Sequence, residues 1–181
     1  MSTSPSNTSY FDIRIINLHW INNEDDAIDL CAHGHVFVKI GNEIVADENS
    51  LDITVSSTAL YLLRTLNQNY SPGDFASQLL PCCGFSFMPD RANNTIAILG
   101  CASGIDWMVE HIDNTYVKHT TASGANTIIS KKQYQEIVFG FVDQVEAFYN
   151  ASSPKKLPED EYDKLGYLMF WEEWWRLRNE P

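Results

Sequence analysis

Cys31, His33 and His35 alternate along one short stretch, and on a strand such spacing puts all three side chains on one face about 7 Å apart. Thiol and imidazole are ligands that zinc takes, and they are also the nucleophile and base of thiol enzymes. The spacing supplies no fourth ligand, and Gly34 interrupts the run. The plainer expectation is three side chains lining the less apolar face of a hairpin strand, with no metal and no cofactor. Cys82 and Cys83 are adjacent. Neighbours in extended chain point apart and a vicinal disulfide is strained, so both are expected as separate, reduced thiols. No Lys, Arg or His lies near them in sequence to lower a thiol pKa. Cys101 is expected inside a strand, as a small hydrophobe. The carboxylates of Asp106, Glu110, Glu172 and Glu173 could serve as acid and base, but nothing around them points to the burial that would tune them. The chain has no CxxC, GxGxxG, Walker-type loop or HExxH. No catalytic residue is assigned.

Charge carries more information. The 181 residues hold 24 acids and 12 bases, a formal charge of −12. A chain this acidic repels phosphate backbones, which argues against direct nucleic-acid binding. Eight acids lie between Ile21 and Val55 (Glu24, Asp25, Asp26, Asp29, Glu43, Asp47, Glu48 and Asp52) against Lys39 alone, a local net of −7. Such an excess is commonly a solvated face. Its functional reading is an attractive surface for a basic partner, made by Glu24, Asp25, Asp26, Asp29, Asp47, Glu48 and Asp52. A second candidate surface is aromatic. Trp171, Trp174 and Trp175 share one helix side, with Phe170 leaning toward Trp174. They are expected either to pack a terminal helix or to anchor a partner or a second copy of the chain.

The elements that must position these residues follow from periodicity. Phe11 to Trp20 reads as a strand, alternating at Phe11, Ile13 and Ile15. His35–Ile40 and Glu43–Ala46 flank Gly41-Asn42 and predict a hairpin, with Val36, Val38, Ile40 and Val45 inward. Leu51–Val55 reads as a further strand. Ser56 is expected to cap a helix reaching about Asn67, built on Leu60, Leu63 and Leu66. Loop and a short strand follow to Asp90, then a strand over Thr95–Leu99 and a hairpin over Gly104–Thr120 that turns at Asp113-Asn114. Ser130 and Gln133 form a capping box. Tyr134, Ile137, Val138, Phe141, Val145, Phe148 and Tyr149 then mark one apolar helix stripe. A last helix is expected to start near Pro158 and to split at Gly166. This is an α+β pattern: a mostly antiparallel sheet of hairpins, one internal helix, and two C-terminal helices packed on it. Residues 10–181 are expected as one domain behind a disordered 1–9, since the size suits one core. No run approaches the roughly 20 apolar residues of a spanning helix, so no membrane association is expected.

Four stretches resemble one family when taken together: Leu80-Pro81-Cys82-Cys83-Gly84-Phe85, Gly100-Cys101-Ala102-Ser103-Gly104-Ile105-Asp106-Trp107, Glu146-Ala147-Phe148-Tyr149, and Asp163-Lys164-Leu165-Gly166-Tyr167 through Trp174. They are similar to small acidic bacterial immunity proteins of polymorphic-toxin and contact-dependent growth inhibition systems, over about Asp12 to Arg178. The resemblance implies a cytoplasmic protein that binds one cognate toxin domain, often a nuclease, and blocks it. It transfers no site residues. A toxic nuclease is commonly basic around its active site, which an acidic inhibitor can occupy. The competing expectations are a metal- or thiol-dependent enzyme using Cys31, His33 and His35, and a scaffold that homodimerises through the Trp-rich helix. The oligomeric state is left open.

Overall fold

The computed structural model describes residues 10–73 and 78–179; the expectation for residues 1–9 lies outside them. Four antiparallel sheets form among the described residues. The first has the order β1 (Phe11–Ile15), β3 (Val36–Ile40), β4 (Glu43–Ala46). The second runs β10 (Asn126–Ser130), β9 (Tyr116–Thr120), β8 (Met108–Ile112). Two short pairs join β2 (His33–Gly34) to β5 (Ile53–Thr54), and β6 (Ser86–Asp90) to β7 (Thr95–Leu99). Helix α1 (Val55–Arg64) touches both α2 (Lys131–Ala151) and α3 (Glu161–Asn179). Helix α2 lies against β1, β9 and β10, while α3 covers β6 and β7. The class is α+β: β3–β4, β6–β7, β8–β9 and β9–β10 pair as hairpins, while β1–β3 and β2–β5 pair across long connections. Gly41, Asn94 and Asp113 sit at three of the hairpin turns with φ of 59°, 51° and 53°, the left-handed region that Gly, Asn and Asp tolerate best.

Tertiary contacts override several local signals. The first strand stops at Ile15 instead of running to Trp20, because the chain then turns to bond His35 and His33 through Ile16 and His19. A bulge between Val38 and Lys39 pairs Val38 with Ala46, so Ala46 completes the inward face and Val45 is only half-buried. Helix α1 starts at Val55 with Thr54 at its N-cap. Ser56 is already inside it, and its hydroxyl accepts the Ala32 N–H at 2.7 Å. The last helix begins at Glu161 because the Asp160 carboxylate accepts the N–H groups of Tyr162 and Asp163 at 2.9 and 3.1 Å, the N-cap arrangement. Gly166 does not divide α3. A Cβ there would lie 2.0 Å from the Phe87 carbonyl oxygen, so its role is close approach of the helix to β6. The Ser130 cap is as expected: its hydroxyl accepts the Gln133 N–H at 3.1 Å. One continuous buried cluster joins the sheets and all three helices, with Trp107, Tyr134, Phe141, Phe170 and Trp174 its largest fully buried side chains. No helix among the described residues is long and apolar enough to cross a membrane.

Candidate functional site

The segment between β1 and β2 carries four acids in six residues, Glu24 to Asp29, and is folded into a fixed shape by its own carboxylates. Asp29 accepts the Ile21 N–H at 2.7 Å and the Cys31 N–H at 3.2 Å. Asp26 accepts the Ile28 N–H at 2.9 Å, and Asn23 takes a left-handed φ of 56° at the turn after Trp20. A second set of bonds fastens this loop to the α2–α3 connection. The buried Lys155 side chain reaches Asp25 at 3.1 Å and the Asp26 carbonyl at 2.8 Å, with its ammonium 3.3 Å from the centre of the Trp20 ring. Ser153 donates its backbone N–H to Asp25 at 2.6 Å, and Lys156 donates to the Ala27 carbonyl. The Ser153 N–H, with Lys155 beside it, holds the Asp25 carboxyl below its ordinary range.

The loop so held encloses a concavity of about 220 Å³ lined by Ile21, Asn22, Glu24, Asp26, Ile28 and Asp29. Ile21 and Ile28 are 59% and 69% exposed on it. The seven acids therefore divide by task. Asp25 is neutralised by Lys155, and Asp29 and Asp26 accept backbone N–H groups of their own loop. Asp47 accepts from Asn49 N–H and Ser50 hydroxyl, and Asp52 pairs with His19 at 3.2 Å. Glu24 and Glu48 are exposed, and their carboxylates meet no partner among the described residues. The charges of Asp29 and Asp52 both favour the protonated His33 ring, against its burial. Glu43 is held apart from them by the hydroxyls of Thr121 and Ser123, which lower its pKa.

Cys31, His33 and His35 do not form a ligand set. The two-residue β2 ends before His35, which breaks the alternation that would have aligned them. Cys31 is buried with its sulfur 3.9 Å from the Phe85 carbonyl, and burial raises its pKa far above neutral, so it stays a thiol. His33 is buried and stacked on His19 at 6.2 Å; burial lowers its pKa, with Asp29 and Asp52 opposing. His35 turns to Asn17 at 3.3 Å. The sulfurs that do converge are those of Cys82, Cys83 and Cys101. Cys82 Sγ lies 3.3 Å from that of Cys83 and 2.6 Å from that of Cys101. The adjacent pair thus does not point apart, and Cys101 stands in the loop after β7 rather than in a strand.

Among the tryptophans, Trp174 is in the core and donates its indole N–H to Glu146 at 2.8 Å. It is therefore unavailable as a partner anchor. Trp171 is half-buried against Tyr149, and Trp175 is 48% exposed, stacked on Trp171. Sequence reasoning also missed one buried carboxylate, Glu173, and one half-buried one, Asp106. Glu173 is 1% exposed, receives both Nε and Nη2 of Arg64 at 2.7 and 2.8 Å, and accepts the Ile96 N–H at 2.9 Å. Its position between Phe170, Trp174 and Leu177 on the apolar face of the helix was the available signal. Asp106 accepts from Tyr70 hydroxyl at 2.6 Å, Leu79 N–H and Trp107 N–H; burial nevertheless raises its pKa. Comparison with protein families finds no match to this chain, and comparisons with curated proteins and with solved structures find no significant one.

Proposed function

We propose that this chain is an immunity-type inhibitor that binds a basic toxin domain, of the nuclease class, through the acidic concavity of residues 21–29. The observation that carries the reading is the pairing of Glu24 and Asp26 with the exposed Ile21 and Ile28 on one preformed rim. Apolar anchors ringed by polar groups are the anatomy of a protein interface, and the carboxylates supply steering. At about 220 Å³ the concavity is smaller than the roughly 300–1,000 Å³ of metabolite pockets. It suits one long basic side chain better than a whole small molecule. The Lys155 latch supports the same reading, because a loop fixed before binding loses little conformational entropy on association. The reading implies a cytoplasmic protein, since an inhibitor of this kind must meet its toxin inside the cell.

The partner to test is the C-terminal domain of the polypeptide encoded immediately upstream of this chain's gene. Coexpression should rescue cells from that domain, and the purified pair should form a complex whose formation slows when Glu24 and Asp26 are replaced by lysine. A neighbouring protein that neither harms cells nor binds this chain would overturn the proposal. Binding and rescue with unchanged kinetics in the lysine variants would move the interface away from residues 21–29.

A further inference from the structure

We propose that Cys82, Cys83 and Cys101 form a three-sulfur site for one thiophilic d10 cation, Zn(II) or Cu(I). The three Sγ atoms all lie within 4.8 Å of one another, brought together from two loops that the fold fixes on both sides. Leu80 and Ile105 exchange backbone hydrogen bonds at 3.0 Å each way. Pro81 carbonyl accepts the Thr54 N–H at 2.9 Å, and Ser57 hydroxyl donates to the Gly84 carbonyl. The loops are therefore anchored just outside the sulfurs, while the sulfurs themselves are half-buried and open to solvent. A disulfide would engage two of the three and leave the third unexplained; a cation engages all.

The three sulfurs lie within the span of such a site, with both contacts of Cys82 Sγ shorter than a bound cation sets. Zn–S bonds of about 2.3 Å at tetrahedral angles set sulfurs about 3.8 Å apart. The separations of 3.3 and 2.6 Å must then open by about 0.5 and 1.2 Å on binding. Thiolate is the ligand that selects Zn(II) and Cu(I). Cu(I) is satisfied by three sulfurs, whereas Zn(II) completes its tetrahedron with water. On binding, each thiol loses its proton to solvent as its metal–sulfur bond forms, and no electron is transferred. The site is independent of the toxin-binding reading, since it shares no residue with the 21–29 rim.

The test uses the full chain, reduced and metal-free, under anaerobic conditions, titrated with Zn(II) and separately with Cu(I) against a chromophoric chelator. Co(II) serves as the spectroscopic probe. One equivalent of at least one of the two cations should bind, with about three protons released per Zn(II) if zinc is the one taken. Co(II) should show thiolate-to-metal charge transfer. Cys82→Ser, Cys83→Ser and Cys101→Ser should each weaken binding at least about tenfold, the loss seen even for outer-shell changes at metal sites, while Cys31→Ala should not. Lack of stoichiometric binding of both cations by the wild-type chain would overturn the site whatever the variants do. So would full affinity in Cys83→Ser, or a Cys82–Cys101 disulfide that persists in millimolar glutathione.

Discussion

Acid should destabilise this protein through His119 in particular. The ring is fully buried, stacked on Phe11 at 3.9 Å and edge-on to Tyr134 at 4.7 Å. Trp107 donates its indole N–H to His119 Nδ1 at 3.2 Å. An indole nitrogen only donates, so Nδ1 must keep its lone pair and Nε2 must carry the proton. That Nε2 finds no hydrogen-bond partner among the described residues. A second proton would break the Trp107 bond and leave a charge in the core, and burial, aided by His111, lowers the pKa from 6.5 to about 3. The folded state therefore refuses a proton that the unfolded chain accepts below about pH 6.5. Stability from this group is intact above that pH and falls as pH drops toward 3. At pH 5 the loss is about 2 kcal/mol, or about 4–8 °C in Tm for a chain of this size. Urea unfolding of wild type and His119→Phe at pH 7 and pH 5 isolates the effect. The variant loses the Trp107 bond at both pH values, so only the difference between the two pH values is read. His33, also lowered by burial, contributes equally to both proteins and cancels. Equal losses of stability in the two proteins between pH 7 and pH 5 would refute the assignment.

Other perturbations follow from the same packing. Glu173→Ala leaves Arg64 in a largely buried position without its carboxylate and strips Ile96 N–H of its acceptor; urea titration should show a loss of about 3 kcal/mol, the lower end for broken buried pairs because Arg64 is partly exposed. Two glycines in helices should respond with opposite sign. Gly166→Ala drives a methyl group into the Phe87 carbonyl and should cost about 1–3 kcal/mol. Gly140→Ala meets open space in α2 and should gain about 0.5–1 kcal/mol; a matched pair of thermal melts decides both.

What the sequence made legible was local. The Ser130–Gln133 cap, the stripe from Tyr134 to Val145, and the Gly41 and Asp113 turns depend on neighbours a few residues away, and the structure has them where periodicity and turn chemistry put them. What escaped was set by residues distant in the chain. Lys155 reaches Asp25 across 130 positions and Arg64 reaches Glu173 across 109. Cys82 meets Cys101 only because Leu80 and Ile105 bridge. Acidic composition showed how much charge the 21–55 region carries; it did not show that Asp25, Asp26, Asp29, Asp47 and Asp52 are occupied with bonds of their own, leaving Glu24 and Glu48 free of partners among the described residues.

The interface assignment rests most heavily on Glu24 and Asp26. Stopped-flow association of the upstream-encoded domain with wild type and with Glu24→Lys/Asp26→Lys, across a series of salt concentrations, tests it directly. Steered association is fast and falls steeply with ionic strength. The double variant should associate at least about tenfold more slowly at low salt, with a flatter salt dependence and a smaller change in dissociation rate. Identical association rates and identical salt slopes in the two proteins would contradict the acidic rim as the docking surface.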